Sequence, residues 1–200
     1  MPPVQVDPKK VREFETAEAF YAWLRDNHDS ADELWIKMHK VGSGLPSIVW
    51  KEAVDTALCW GWIDGIRKSL DDKSFLQRYT PRRPKSVWSK INVENVSRLI
   101  EAGLMTEHGL KHVESAKADG RWDRAYASVM QMELPADLLA AVEAEPSAKA
   151  TLEKLNSQNR YALALRLHNL KTEAARKRKV AEFVAMLARC ETIYQQPSPK

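Results

Sequence analysis

The chain has 200 residues, 44% hydrophobic and 29% charged, with a net charge of +4. This is a globular composition with ample material for a core. No apolar run approaches the roughly 20 residues that span a bilayer, and the opening MPPVQVDPKKVREFE has no apolar segment behind its basic residues, so a cytoplasmic location without membrane insertion is expected. The only cysteines, Cys59 and Cys190, stand at no metal-ligand spacing and define no disulfide framework; no metal and no cofactor is expected.

Residues 1–12 read as a loose arm. Thr16 is a plausible cap for a short amphipathic helix with Phe20, Trp23 and Leu24 on one side. ELWIKMHK then alternates, with Leu34, Ile36 and Met38 on one face and Trp35, Lys37 and His39 on the other, as a half-buried strand does. VGSGLPS follows as a connector. It lacks the lysine of a phosphate-binding Walker loop, since Leu45-Pro46-Ser47 follows Gly44.

From Trp50 the pattern is helical, with Trp50, Ala53, Val54, Ala57 and Leu58 expected on one buried stripe that runs to Gly61, where a left-handed residue is expected to end the helix. Trp60 and Trp62 then cover the two sides of a sharp corner into a strand. In that strand Trp62, Asp64, Ile66 and Lys68 are expected to share a face. The chain turns at DDKS and FLQRYT returns, predicting a β-hairpin. PRRPKSVWSK is a proline-stiffened basic loop. Asn92 is the expected cap of the next helix and Gly103 follows its end; Thr106 opens another helix and Gly120 closes it. Beyond Trp122 the pattern is helical, the last helix running from about Thr172 to Cys190 and burying Val180, Phe183, Val184 and Leu187. QQPSPK is a frayed tail. The predicted class is α+β: an antiparallel sheet of about three strands packed by helices over residues 1–130, and a helical region over 131–200.

Charge is unevenly spread. Residues 67–90 carry eight Lys/Arg and two Asp, a net of +6, and residues 160–180 carry seven Lys/Arg and one Glu, again +6, so the remainder is at −8. Basic segments against an acidic remainder suit an anionic partner, a small molecule or a nucleic acid. The first segment holds the sharpest constellation. Asp64 is unusual in a strand and needs a cation if buried, with Lys68, Arg67, Arg82 and Arg83 near in sequence. Two adjacent arginines can grip a phosphate or carboxylate bidentately, Tyr79 and Trp88 can stack, and Ser86, Ser89 and Asn92 bring neutral groups to a helix start. The candidate ligand site is therefore Trp62, Asp64, Lys68, Tyr79, Arg82, Arg83, Ser86, Trp88, Ser89 and Asn92. The plainer reading is an Asp64–Arg82 pair that pins the 79–89 loop to the sheet.

Other motifs weigh less. Cys59 has no histidine near it in sequence and reads as a buried, inert thiol. His108 and His112 form an i, i+4 pair without a third ligand, hence an exposed helix face. Arg176–Lys179 are four consecutive cations, but on a helix they point around the whole circumference, which favours a solvated helix over a phosphate-binding one.

The blocks LWIKMHK, PSIVWKEAVDTALCWGWID, RYTPRRPKSVWSKIN, LIEAGLMTEHG and TEAARKRKV together resemble the YdeI/OmpD-associated (OmdA-like) bacterial family. The resemblance implies protection against bacteriocins or antimicrobial peptides, an indirect association with a porin, and no agreed reaction or cofactor. A non-enzymatic stress or resistance protein that binds an anion is thus the first expectation. A small enzyme with Asp64 as acid or base, or an adaptor module for protein or nucleic acid, stands as the alternative.

Overall fold

A four-stranded sheet forms where three strands are expected, its strands lying in the spatial order 11–13, 34–39, 74–81 and 62–69. The computed structural model describes residues 5–127 and 132–196. The chain divides into two compact units, Met1–Ala125 and Tyr126–Lys200. The expected boundary at 130/131 lies outside the described residues, as do residues 1–4 and the end of the tail.

The additional strand, β1 (Val11–Glu13), comes from the expected loose arm and runs parallel to the second strand. Three residues are too few to show a period. What holds them is pairing across the strands: the Glu13 carboxylate accepts from Lys37 Nζ at 2.8 Å and meets His39 Nε2 at 3.2 Å. Helix α1 (Ala17–Asn27) follows, capped by the Thr16 hydroxyl and burying Phe20 and Leu24. Strand β2 (Leu34–His39) alternates as expected on one face, where Leu34, Ile36 and Met38 are buried. Trp35, expected on a solvated face, is buried too, with Val11 beside it on β1 and Arg78 opposite it on the following hairpin.

Helix α2 (Trp50–Cys59) buries Ala53, Val54, Ala57 and Leu58 and ends as the sequence predicts. Gly61 has φ +72°, and a Cβ there would lie 2.6 Å from His112 Cδ2. Only a glycine combines that conformation with so close an approach. Trp60 packs edge-on against Tyr21 and stacks on His108, while Trp62 meets Trp23 edge-on and donates from its indole to the His28 carbonyl at 3.1 Å. The two tryptophans thus close the corner from opposite sides.

Strands β3 (Trp62–Ser69) and β4 (Ser74–Pro81) form the predicted hairpin, its turn held by Asp71, whose carboxylate accepts from the Lys73 and Ser74 amides and the Ser74 hydroxyl. The register contains a bulge between Asp64 and Arg67. Asp64 lies opposite Tyr79 and Arg67 opposite Gln77, so these two share the helix-covered face. Lys68 lies opposite Leu76 on the other face, which corrects the expected grouping of Asp64 with Ile66 and Lys68. Gln77 Nε2 donates to the Gly65 carbonyl at 2.9 Å, satisfying a group the bulge takes out of the ladder.

Helix α3 (Lys90–Glu101) begins one turn earlier than expected: Ser89, not Asn92, is the cap, its hydroxyl accepting from the Asn92 amide at 3.2 Å. Helix α4 (Glu107–Ala118) is capped by Thr106. Within unit 1 one core unites the sheet with α1 to α4 through Phe20, Leu34, Ile36, Ala57, Tyr79, Trp88, Val96 and Val113.

The second unit is helical, as predicted: α5 (Ala136–Glu143), α6 (Pro146–Glu153), α7 (Ser157–His168) and α8 (Glu173–Ala188). Its own core gathers Leu138, Val142, Leu152, Leu163, Val180, Phe183 and Leu187, with Val184 partly buried at the edge. Thr172 caps α8. Three cations of its basic run are matched within the unit: Arg176 with Asp137, Lys177 with Glu173 and Lys179 with Glu182. That is the pattern of a solvated helix face.

Candidate functional site

The predicted site residues divide into buried, half-buried and exposed side chains. Trp62, Tyr79 and Trp88 are among the most deeply buried side chains of the protein. Arg82 is 4% exposed; its guanidinium lies 3.6 Å over the Trp88 ring and donates to the Val87 carbonyl at 2.7 Å, while its amide donates to the Gly61 carbonyl at 2.8 Å. Arg82 therefore pins the loop to the α2–β3 corner, as the plainer sequence reading expects, although through carbonyls and an indole. The Ser86 carbonyl accepts from Arg121 at 2.8 Å, Ser89 caps α3, and Asn92 is half-buried in the first turn. Lys68 and Arg83 are exposed.

Asp64 is half-buried on the helix-covered face. Burial raises its carboxyl above the usual carboxylate range; its own amide, the Trp50 side chain and, least of the three, the charge of Arg82 pull the other way. Its neighbour across the hairpin, Tyr79, is pushed far up by burial and by the Asp64 charge. The Trp50 side chain thus favours the charged form of the carboxylate that the sequence reading paired with Arg82, and does so more than the Arg82 charge. Trp50, assigned to the core stripe of α2, stands at its first turn and is half exposed.

Trp50 leads to the cavity that sequence reasoning missed. An open pocket of about 410 Å³ lies beneath residues 40–49, its walls including Met38, Ile48, Trp50, Phe75 and Arg67. The connector VGSGLPS is thus the roof of a pocket. Gly42 and Gly44 have φ +88° and +75° and nothing packs where a Cβ would stand. The Arg67 guanidinium lies 3.6 Å over the Phe75 ring. Stacking fixes its plane, yet among the described residues its guanidinium has no carboxylate or carbonyl partner. Lys40 also lines the pocket, donating to the Asp71 carbonyl at 2.9 Å, and no Asp or Glu does so. The signal available in the sequence was Gly65: a glycine inside a strand marks a bulge, and a bulge moves Arg67 to the face of Asp64.

A second cavity, about 590 Å³, lies along α1, α2 and the end of α3. Its charges are already engaged: Arg98 donates to Asp55 at 2.6 Å, Arg25 pairs with Asp26, and Glu52 accepts from the Val49 amide. Cys59 lines it but is 4% exposed, and burial pushes its thiol up to about 11, which agrees with the inert role expected for it. His112, expected on an exposed face, is half-buried against Gly61, while His108 is exposed.

These features define an α+β unit with a cationic pocket between a glycine loop and a bulged hairpin, and a separate helical unit. Residues 12–112, half of the chain, match the family described as a domain of unknown function (DUF8412), and the chain belongs to that family. Residues 131–189 match the family described as bacteriocin-protection, YdeI or OmpD-associated. The expected resemblance is therefore found, carried by the helical unit; of the blocks quoted for it, TEAARKRKV lies inside the match and the GWID and TPRR blocks lie inside the other family. Neither a curated protein nor a solved structure matches the chain. No helix among the described residues is long and apolar enough to cross a membrane.

Proposed function

We propose that this is a bacterial stress or bacteriocin-resistance protein that acts by binding an anionic ligand in the pocket between the 40–49 loop and the β3–β4 hairpin. The single observation behind the binding reading is Arg67, oriented on Phe75 at a pocket wall without a carboxylate and with no acceptor among the described residues. An oriented guanidinium loses little freedom on meeting a phosphate or carboxylate, and Lys40 adds a second positive charge. Lys68 and Arg83, from the site expected in the sequence, are exposed cations of the same basic segment and contribute to the field that draws an anion in. The resistance role is supported by the family match of the helical unit.

Calorimetric titration with inorganic pyrophosphate and nucleotides tests the binding reading. Charge-assisted hydrogen bonds contribute about 1.5–3 kcal/mol, so Arg67→Ala should weaken binding by tenfold or more, and added salt should weaken the parent. A parent that binds no anion, or an Arg67→Ala variant that binds as well as the parent, refutes it. A deletion strain that stays as bacteriocin-resistant as its parent refutes the resistance role. The enzymatic alternative has one observation in its favour, the raised carboxyl of Asp64 beside the pocket residue Trp50. It requires turnover that Asp64→Asn abolishes while binding persists.

A further inference from the structure

We infer that the ligand of this pocket is the headgroup layer of an anionic membrane, to which the 40–49 loop docks; the inference rests on the anion reading of Arg67 and names its source. Val41 is fully exposed at the loop, and Leu45, Val49 and Trp50 are 52%, 59% and 49% exposed around the same pocket. Four large apolar side chains in solvent at one site are unusual for a monomer surface and mark an interaction face. Val41 stands at the mouth of the pocket with its side chain fully exposed, more apolar surface than a ligand held inside the pocket would cover. Gly42 and Gly44 keep the loop backbone open, with nothing within 4 Å of either Cβ position.

Charge selects the partner. Lys40 and Arg67 line the same pocket and no carboxylate does, so the face offers an apolar tip with a cationic rim. That combination suits the boundary between headgroups and acyl chains, where apolar side chains sit below the phosphates and Lys or Arg meets them. Among the described residues no helix is long enough to cross a bilayer, so the contact is docking at the surface. A neutral protein partner would leave the positive charges of Arg67 and Lys40 without a counter-charge.

The test is co-sedimentation of the full chain with vesicles of phosphatidylglycerol and phosphatidylcholine, and with phosphatidylcholine vesicles, alongside pyrophosphate calorimetry. The parent should sediment with the anionic vesicles alone. Val41→Ser, a neutral change at a fully exposed position, should keep the melting temperature, weaken vesicle binding about tenfold through the lost apolar insertion, and weaken pyrophosphate binding far less. Arg67→Ala should weaken vesicle binding about fivefold, as for one cation near an anionic surface, and weaken pyrophosphate binding as well. Pyrophosphate binding without vesicle binding overturns the membrane inference and leaves the anion reading standing; binding to neither removes both. Equal vesicle binding by Val41→Ser, or equal sedimentation with neutral vesicles, also overturns the inference.

Discussion

Replacing Gly61 by alanine tests whether the corner between α2 and β3 is built as described. Two costs follow from the geometry. At φ +72° an L-residue meets the left-handed penalty of about 1–2 kcal/mol. The new Cβ would also stand 2.6 Å from His112 Cδ2 and 3.2 Å from the His108 carbonyl. The imidazole can yield, but the carbonyl belongs to α4, which packs on the end of α2, and overpacking of this kind costs about 1–3 kcal/mol. The sum is about 2–5 kcal/mol, which for a chain of this size lowers the melting temperature by roughly 4–20 °C. Urea denaturation followed by tryptophan fluorescence measures it directly, because Trp60 and Trp62 flank the site. In a His112→Ala background the imidazole contact is gone while the backbone penalty and the His108 carbonyl contact remain, so Gly61→Ala should cost less there than in the parent, though no less than about 1–2 kcal/mol. A Gly61→Ala protein within about 0.5 kcal/mol of its parent, a change typical of plain surface positions, refutes the reasoning. An equal cost in both backgrounds refutes the contact with His112.

Asp64→Asn should melt at or above the parent at pH 7. The folded state raises this carboxyl above its ordinary value of 3.8, so it binds more protons than the unfolded chain between the two values; stability is fully present below 3.8 and falls as pH rises through the folded value. The advantage of the variant should therefore shrink as pH drops towards 4, and a variant less stable at pH 7 would show that the carboxylate is held by a compensating charge. Arg82→Ala should lose about 2–4 kcal/mol, because it removes a charged hydrogen bond to Val87 and the stacking on buried Trp88, whereas Arg83→Ala, at an exposed position, should change stability by less than about 0.5 kcal/mol. Thermal melts of the two variants side by side decide; equal losses would mean that Arg82 does not anchor the loop.

The sequence by itself determined the local elements and their ends. Ala53, Val54, Ala57 and Leu58 at helical spacing, Gly61 past the last turn, and Asp71 before Ser74 each act within a few residues, so their physics is legible in a short window. The helical class of the second unit and the solvated character of its basic run followed in the same way. Strand β1 escaped notice because its stability comes from β2, more than twenty residues away, and three residues carry no period of their own. Tertiary structure alone decided which face each residue of β3 occupies: one bulge reverses the alternation, placing Arg67 beside Asp64 and sending Lys68 to the opposite face. It also turned the arginine pair of the 79–89 loop into one anchor and one exposed cation, and made a glycine-containing connector the roof of a pocket. Side-chain type and spacing set what each residue can do, but where a guanidinium finds its partner depends on which backbone carbonyls, rings and carboxylates the folded chain brings within reach.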